Sequence, residues 1–423
     1  SGPGATNLIT ALATAYADSI PLIAITGQVN SNLLGRDVFQ EADMRGSTES
    51  FVKYSYLVKS ADDIPRIFKE AFYIASTGRK GPVLIDIPCD VQIDLLKKSF
   101  DYTSEVNIRG YKPSTKGNNP QMHKVVAAIN KAKKPLICAG GGVILGNGEE
   151  CVRQFCEKNN IPLVTTMMGI GVMPKNHPLY FGMLGNNGKP YANRAVANSD
   201  LLIIAGARIA DRAVPKPENL EQQVNIIHID IDTAEIGKNL GPTIPLVGDI
   251  KSIFDRLLQE NISIDTSNWI QTLQDIKKST VDHRVFSDKL VNPMLLVQHL
   301  SEKMDDDAIY VADVGQNQLW SADNYVMKNG RFLTSGGMGT MGYSIPAGIG
   351  AKMCTPDKQV VVVCGDGSFQ MTSEELAAAF VSLDEIVAKI REIVEHDSDE
   401  DGYMPLSQVG VMLSRIYADF DSR

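Results

Sequence analysis

The chain has 423 residues, enough for two to three domains at about 100–200 residues each. Its 43% hydrophobic and 22% charged content belong to a globular protein and exclude a largely disordered one. A net charge of −9 without a basic stripe argues against broad nucleic-acid binding, and no apolar run approaches the ~20 residues of a membrane span.

Residues 5–19 predict a helix and 21–26 a buried strand. Ile64, Ile67, Phe68, Ala71, Phe72 and Ala75 recur at helical spacing, and 82–88 is a second buried strand. Strands alternating with helices indicate a parallel sheet. Residues 104–120, rich in Ser, Gly, Asn, Lys and Pro, predict a linker. A second unit is expected from about Met122, with strands at 135–139, 201–205 and 226–231. Gly140-Gly141-Gly142 follows the first of these strands and Gly206 the second. A third unit starts near Asn292, with strands at 308–311 and 359–363 and the glycine-dense loop 335–342 between them. The six cysteines form no Cys-x-x-Cys pair and complete no zinc set, so reduced thiols in a cytoplasmic protein are expected. No signal peptide is visible.

The tail changes character, since residues 371–423 hold −8 of the net charge. Ser382 and Glu385 form a capping box, and Leu383, Ile386, Val387, Ile390, Ile393 and Val394 line one helix face. The expected fold is α/β, with three doubly wound parallel-sheet domains and a short α-helical tail. The expected boundaries are 1–103, 121–270, 291–380 and 381–423.

The most informative stretch is Val361-Val362-Val363-Cys364-Gly365-Asp366-Gly367-Ser368. A β-branched run delivers a carboxylate onto a glycine turn, where a metal-bound diphosphate could sit. By themselves these residues favour the plainer reading of an aspartate that caps a helix. Val314-Gly315-Gln316-Asn317 raises the same choice between a phosphate loop and a plain strand-to-helix turn.

Taken together, several motifs resemble the thiamine-diphosphate (ThDP) dependent decarboxylases and carboligases, and within them the acetolactate synthase large (catalytic) subunit, over residues 1 to about 378. They are Ser1-Gly2-Pro3-Gly4-Ala5-Thr6-Asn7, Phe39-Gln40-Glu41-Ala42-Asp43, Gly182-Met183-Leu184-Gly185, Arg208-Ile209-Ala210-Asp211-Arg212, Asp230-Ile231-Asp232 and Gly365-Asp366-Gly367-Ser368. Several independent motifs in order are far more specific than one glycine signature.

The resemblance implies ThDP-dependent decarboxylation of pyruvate and condensation of the product with a second 2-keto acid, pyruvate or 2-ketobutyrate. This reaction feeds valine, leucine and isoleucine synthesis. It also implies Mg2+ on Asp366 and ThDP on Val314, Gly315, Gln316, Asn317, Gly339, Met341, Gly365, Gly367 and Ser368, with Gln40 beside Phe39 on the substrate side. It further implies FAD on Gly141, Gly142, Thr165, Met183, Leu184, Gly185, Arg208, Asp211, Arg212, Asp230 and Asp249. A homo-oligomer with a small regulatory subunit is expected.

The chain departs from this pattern in three places. The family's activating Glu lies before the segment that begins at Ser1, no Asn follows Asn329 to complete the metal motif, and Cys89 stands where the family commonly has Lys. The chain alone is therefore expected not to turn over pyruvate. The alternative is a non-catalytic FAD- or nucleotide-binding scaffold. Residues 399–423 resemble the start of an OST-type helix-turn-helix (LOTUS) domain, a module that binds RNA or protein partners; its acidity here argues against RNA.

Overall fold

The structure is a computed structural model that describes residues 1–102, 104–241, 243–280, 287, 289–380, 388 and 391–392. The chain divides into two compact units. The first holds residues 1–112, 335–354 and 367 onward, and the second holds 113–334 and 355–366.

In the first unit three parallel strands pair in the order β1-β3-β2: β1 (Leu22–Gln28), β2 (Tyr54–Leu57) and β3 (Pro82–Pro88). β3 is buried along its whole length, as a central strand covered on both faces must be. Its one charged residue, Asp86, accepts hydrogen bonds from Thr26 Oγ1 (2.7 Å) and Gln28 Nε2 (3.1 Å). Burial nevertheless pushes the Asp86 carboxyl upward. The helix Ile64–Ser76 packs Ile67, Ala71, Ile74 and Ala75 onto this sheet. The first expected helix is two, Gly2–Thr6 and Leu8–Ala17.

The second unit contains two further parallel sheets. The larger runs β6-β5-β4-β7-β8-β9, from β4 (Pro135–Ala139), β5 (Leu163–Thr165), β6 (Tyr180–Met183), β7 (Leu201–Ala205), β8 (Asn225–Asp230) and β9 (Ile244–Val247). This is the doubly wound order, and the chain reverses direction across the sheet between β4 and β7. Helices on both faces cover it, including Asn119–Lys131, Glu149–Asn159 and Ile250–Leu257 on one core and Pro190–Asn198 and Ser267–Ser279 on the other. The helix Asn119–Lys131 begins inside the segment expected to be linker, because Pro120 sits at its first turn, where a missing N–H costs nothing.

The smaller sheet runs β11-β10-β12, from β10 (Ile309–Ala312), β11 (Arg331–Leu333) and β12 (Val360–Val363). It too has a switch point, between β10 and β12. Tyr310, Tyr325 and Phe332 stack beneath it, and Ile170 and Met183 join the same apolar cluster.

β3, β4 and β7 coincide residue for residue with the expected apolar runs. β2, β5, β6, β9 and β11, each three or four residues long, were not expected from the sequence. Ala388, Arg391 and Glu392 are helical, and the rest of the expected tail, the LOTUS-like segment included, lies outside the described residues.

Candidate cofactor site

The second unit has two switch-point crevices, and each is flanked by glycine loops. At the first, β4 ends in Gly140-Gly141-Gly142 and β7 in Gly206. These loops close on each other through backbone. Gly140 N donates to Ala205 O and Gly142 N to Gly206 O, both at 2.9 Å. A Cβ on Gly142 would lie 2.8 Å from Gly206 Cα, and Gly206 itself has φ +56°. The glycines here permit close packing.

Thr165, at the end of β5, is fully buried, with its hydroxyl 2.9 Å from Tyr180 OH. Met183 and Leu184 are also buried, in separate apolar clusters. Gly185 has φ +109° and lies against Arg212 O, while its N–H and C=O are both bound by the Asn193 amide at 2.8 and 2.9 Å. Arg208 is partly exposed and Asp211 and Arg212 are open to solvent, 3.8 Å apart. Between them Ile209 holds φ +48° with its side chain buried, a strained state for a β-branched residue. Asp230 accepts from Asp232 N (2.9 Å), and Asp249 caps the helix Ile250–Leu257 through Ser252 N (3.0 Å). Buried His228 donates from Nε2 to Ala207 O (3.1 Å), on the loop that carries Arg208. Burial holds its pKa below the usual histidine range.

At the second crevice the arrangement is open. β10 runs into buried Asp313, then Val314 and Gly315, whose φ of +137° bends the backbone into the N-cap of the helix Gln316–Asn324. β12 runs into Cys364, Gly365 and Asp366. Asp313 N donates to Val363 O (2.9 Å), and the Asn317 side chain adds to this link: its Nδ2 donates to Asp313 O (3.1 Å) and to Val363 O (3.0 Å). Among the described residues a Cβ on Gly365 would meet only Asn317 Oδ1, at 3.9 Å, which leaves space above this turn. Asp366 is exposed at its rim. A nine-residue helix that begins at a glycine, facing open space across a strand-order reversal, is a fitting phosphate site. No group of three potential metal ligands occurs among the described residues. A lone Asp366 suits Mg2+ that completes its shell with phosphate oxygens and water.

In the first unit, Met341 is 44% exposed and its Cε lies 3.4 Å from the Cβ position of Gly367. Gly339 has φ +70° and open space around it, and Ser368 is buried. The loop before Met341 is held from afar: Gly336 N and Gly337 N donate to the Asp18 carboxylate (3.3 and 2.6 Å), and Thr340 and Thr14 hydroxyls pair at 2.6 Å. Neither Asp18 nor Thr14 carries a local sequence signal for this role. Gln40 has φ +62° and stacks its backbone on Gly2, and Phe39 is 89% exposed. Glu41 accepts from Gly35 N and Val38 N, which holds its loop and keeps its carboxyl below the usual range.

Three family profiles match the chain: thiamine pyrophosphate enzyme N-terminal TPP binding domain over 1–47, central domain over 122–257 and C-terminal TPP binding domain over 313–388. The chain is 44% identical over 390 residues to a probable acetolactate synthase large subunit of Methanocaldococcus jannaschii, with 89% of this chain and 66% of that protein covered. It is 44% identical over 390 residues to the acetolactate synthase large subunit of Corynebacterium glutamicum, covering 90% and 62%. To that of Buchnera aphidicola it is 42% identical over 385 residues, covering 90% and 67%. The chain belongs to the acetolactate synthase large-subunit family. It spans about two thirds, or slightly less, of the length of these acetolactate synthase subunits. No helix among the described residues is long and apolar enough to cross a membrane.

Proposed function

We propose that the protein serves acetolactate synthase-type carboligation: ThDP-dependent decarboxylation of pyruvate and its condensation with a second 2-keto acid, in branched-chain amino acid synthesis. The observation that carries this reading is the open crevice between β10 and β12, with Gly315, Gly365 and a helix N-terminus around it and Asp366 at its rim. Val314, Gly315, Gln316 and Asn317 would hold the diphosphate through backbone amides and the Asn317 carboxamide. Asp366 would hold Mg2+ against the same phosphates, with Gly365, Gly367 and Ser368 forming the turn around it. Gly339 and Met341 would meet the organic part of the cofactor, and Gln40 the substrate side, beside Phe39. When bound, ThDP supplies a carbon nucleophile and an electron sink for the developing carbanion. The chain's own contribution is to orient the cofactor.

FAD is the second cofactor proposed. Its support is the charged, strained loop Arg208–Arg212 at the mouth of the doubly wound crevice, with Asp230 and Asp249 nearby in the fold and Gly141, Gly142, Thr165, Met183, Leu184 and Gly185 at the strand ends. The relatives are named large subunits, which supports a small regulatory partner, and a homo-oligomer is proposed with it. The domain plan proposed remains the three ThDP-enzyme domains, in the order in which the profiles match.

The test uses Trp320, on the helix that starts at Gly315, as a reporter. ThDP with Mg2+ should change its fluorescence saturably, and added pyruvate and FAD should give acetolactate when the complete subunit is assayed. Flavin binding without any ThDP response would overturn the reading in favour of a nucleotide-binding scaffold.

A further inference from the structure

The second unit encloses a cavity of about 280 Å³ whose charged groups belong to none of the cofactor loops above. Lys175 reaches it from the turn before β6, Lys189 from the N-cap of the helix Pro190–Asn198, and Lys277 from the helix Ser267–Ser279. Tyr191 lines it as well, and so does Asp323. Lys189 Nζ lies 2.6 Å from Asp323 Oδ1, so that acid is matched. Lys175 donates to the carbonyls of Asp323 (2.9 Å) and Tyr325 (3.2 Å), and Lys277 Nζ stands 5.6 Å over the Tyr191 ring and 5.8 Å over Phe181. Among the described residues neither Lys175 nor Lys277 forms a salt bridge with a carboxylate, and the nearby Asp323 carboxylate acts on Lys175 only through space. Dipoles and ring faces soften the desolvation of two ammonium groups but do not neutralise it.

We propose that this cavity binds a small metabolite dianion, a phosphate ester or a dicarboxylate, with Lys175 and Lys277 as its counter-charges and the Tyr191 hydroxyl as a donor. The volume admits an anionic head and a body of a few carbons, which would rest on Met173, Met183 and Met327. Lys175 supports the assignment independently: burial, and after it the charge of Lys189, holds its pKa down to about 8. Burial likewise lowers Lys277. Asp323 partly offsets the effect on Lys175, and Tyr180 and Tyr191 stay protonated, both pushed up to about 12. An anion would restore the ammonium form of Lys175, so binding should take up a proton near pH 8 and weaken as the pH rises beyond it.

Calorimetric titration of the purified chain with inorganic phosphate and, separately, with succinate tests this. Saturable binding of either probe is expected, at least tenfold weaker in Lys277→Met and kept in Lys277→Arg. Gly365→Val should leave this binding intact, which separates the cavity from the diphosphate crevice and from the carboligase reading. Should Lys277→Met fail to fold, Tyr191→Phe removes one hydroxyl and is expected to weaken binding at least threefold. The proposal is overturned if neither probe binds, or if a folded variant of either kind binds as the wild type does.

Discussion

The two crevices of the second unit carry similar glycine signatures and have opposite physics. Between β4 and β7, the Cβ positions of Gly140, Gly142 and Gly206 are filled by the facing loop, so folding itself requires glycine there. Between β10 and β12, a Cβ on Gly365 would meet no described residue closer than the Asn317 carboxamide oxygen, so its missing side chain leaves room rather than relieving a clash. A glycine after a strand therefore carries no functional meaning until its Cβ position is inspected.

The largest expected effect lies at the closed crevice. Gly206→Ala forces φ +56° on an L-residue and drives a methyl into the Gly142 backbone at 2.8 Å. A loss of about 3 kcal/mol or more of unfolding free energy is predicted by thermal or chemical denaturation. Gly365→Ala, by contrast, should stay within about 0.5 kcal/mol. Equal effects at the two sites would dissolve the distinction. Next in size is Asn317→Ala, which removes the two side-chain bonds from Asn317 to Asp313 O and Val363 O. It should cost about 1–3 kcal/mol, read in the same way. A smaller effect is expected at the rim of the open crevice, where Asp366→Asn should abolish the Mg2+ dependence of ThDP binding without changing the melting temperature.

The smallest concerns the closed crevice and pH. The unfolded chain protonates His228 near its ordinary value of 6.5, whereas the folded chain resists that proton because the ring is buried. Stability should therefore fall as the pH drops below about 6.5. His228→Gln should flatten that part of the profile of melting temperature against pH, and an unchanged slope would show that His228 is not the titrating group.

Much of this was legible in the chain, for identifiable reasons. β3, β4 and β7 are buried on both faces and so read as unbroken apolar runs. Edge and short strands such as β2 and β11 mix exposed and half-buried positions and leave no such trace. Gly315, Gly365 and Asp366 were visible because strand, glycine and acid are adjacent in sequence. The bridging role of Asn317 was not, since Val363 lies 46 residues away, and Asp18 holds Gly337 across 319 residues. Nor was the contact between the buried Thr165 hydroxyl and Tyr180 OH, because the two sit on neighbouring strands and no local pattern links them.

The most direct test of the central claim is a calorimetric titration of ThDP with Mg2+ into the wild type and Gly365→Val. Gly365 lies outside the positive-φ set, so the variant should fold with an unchanged melting temperature. Its side chain would occupy the space assigned to the diphosphate, and an affinity at least tenfold weaker than wild type is predicted. Equal affinity in a folded variant would contradict the assignment of the β10–β12 crevice as the diphosphate site.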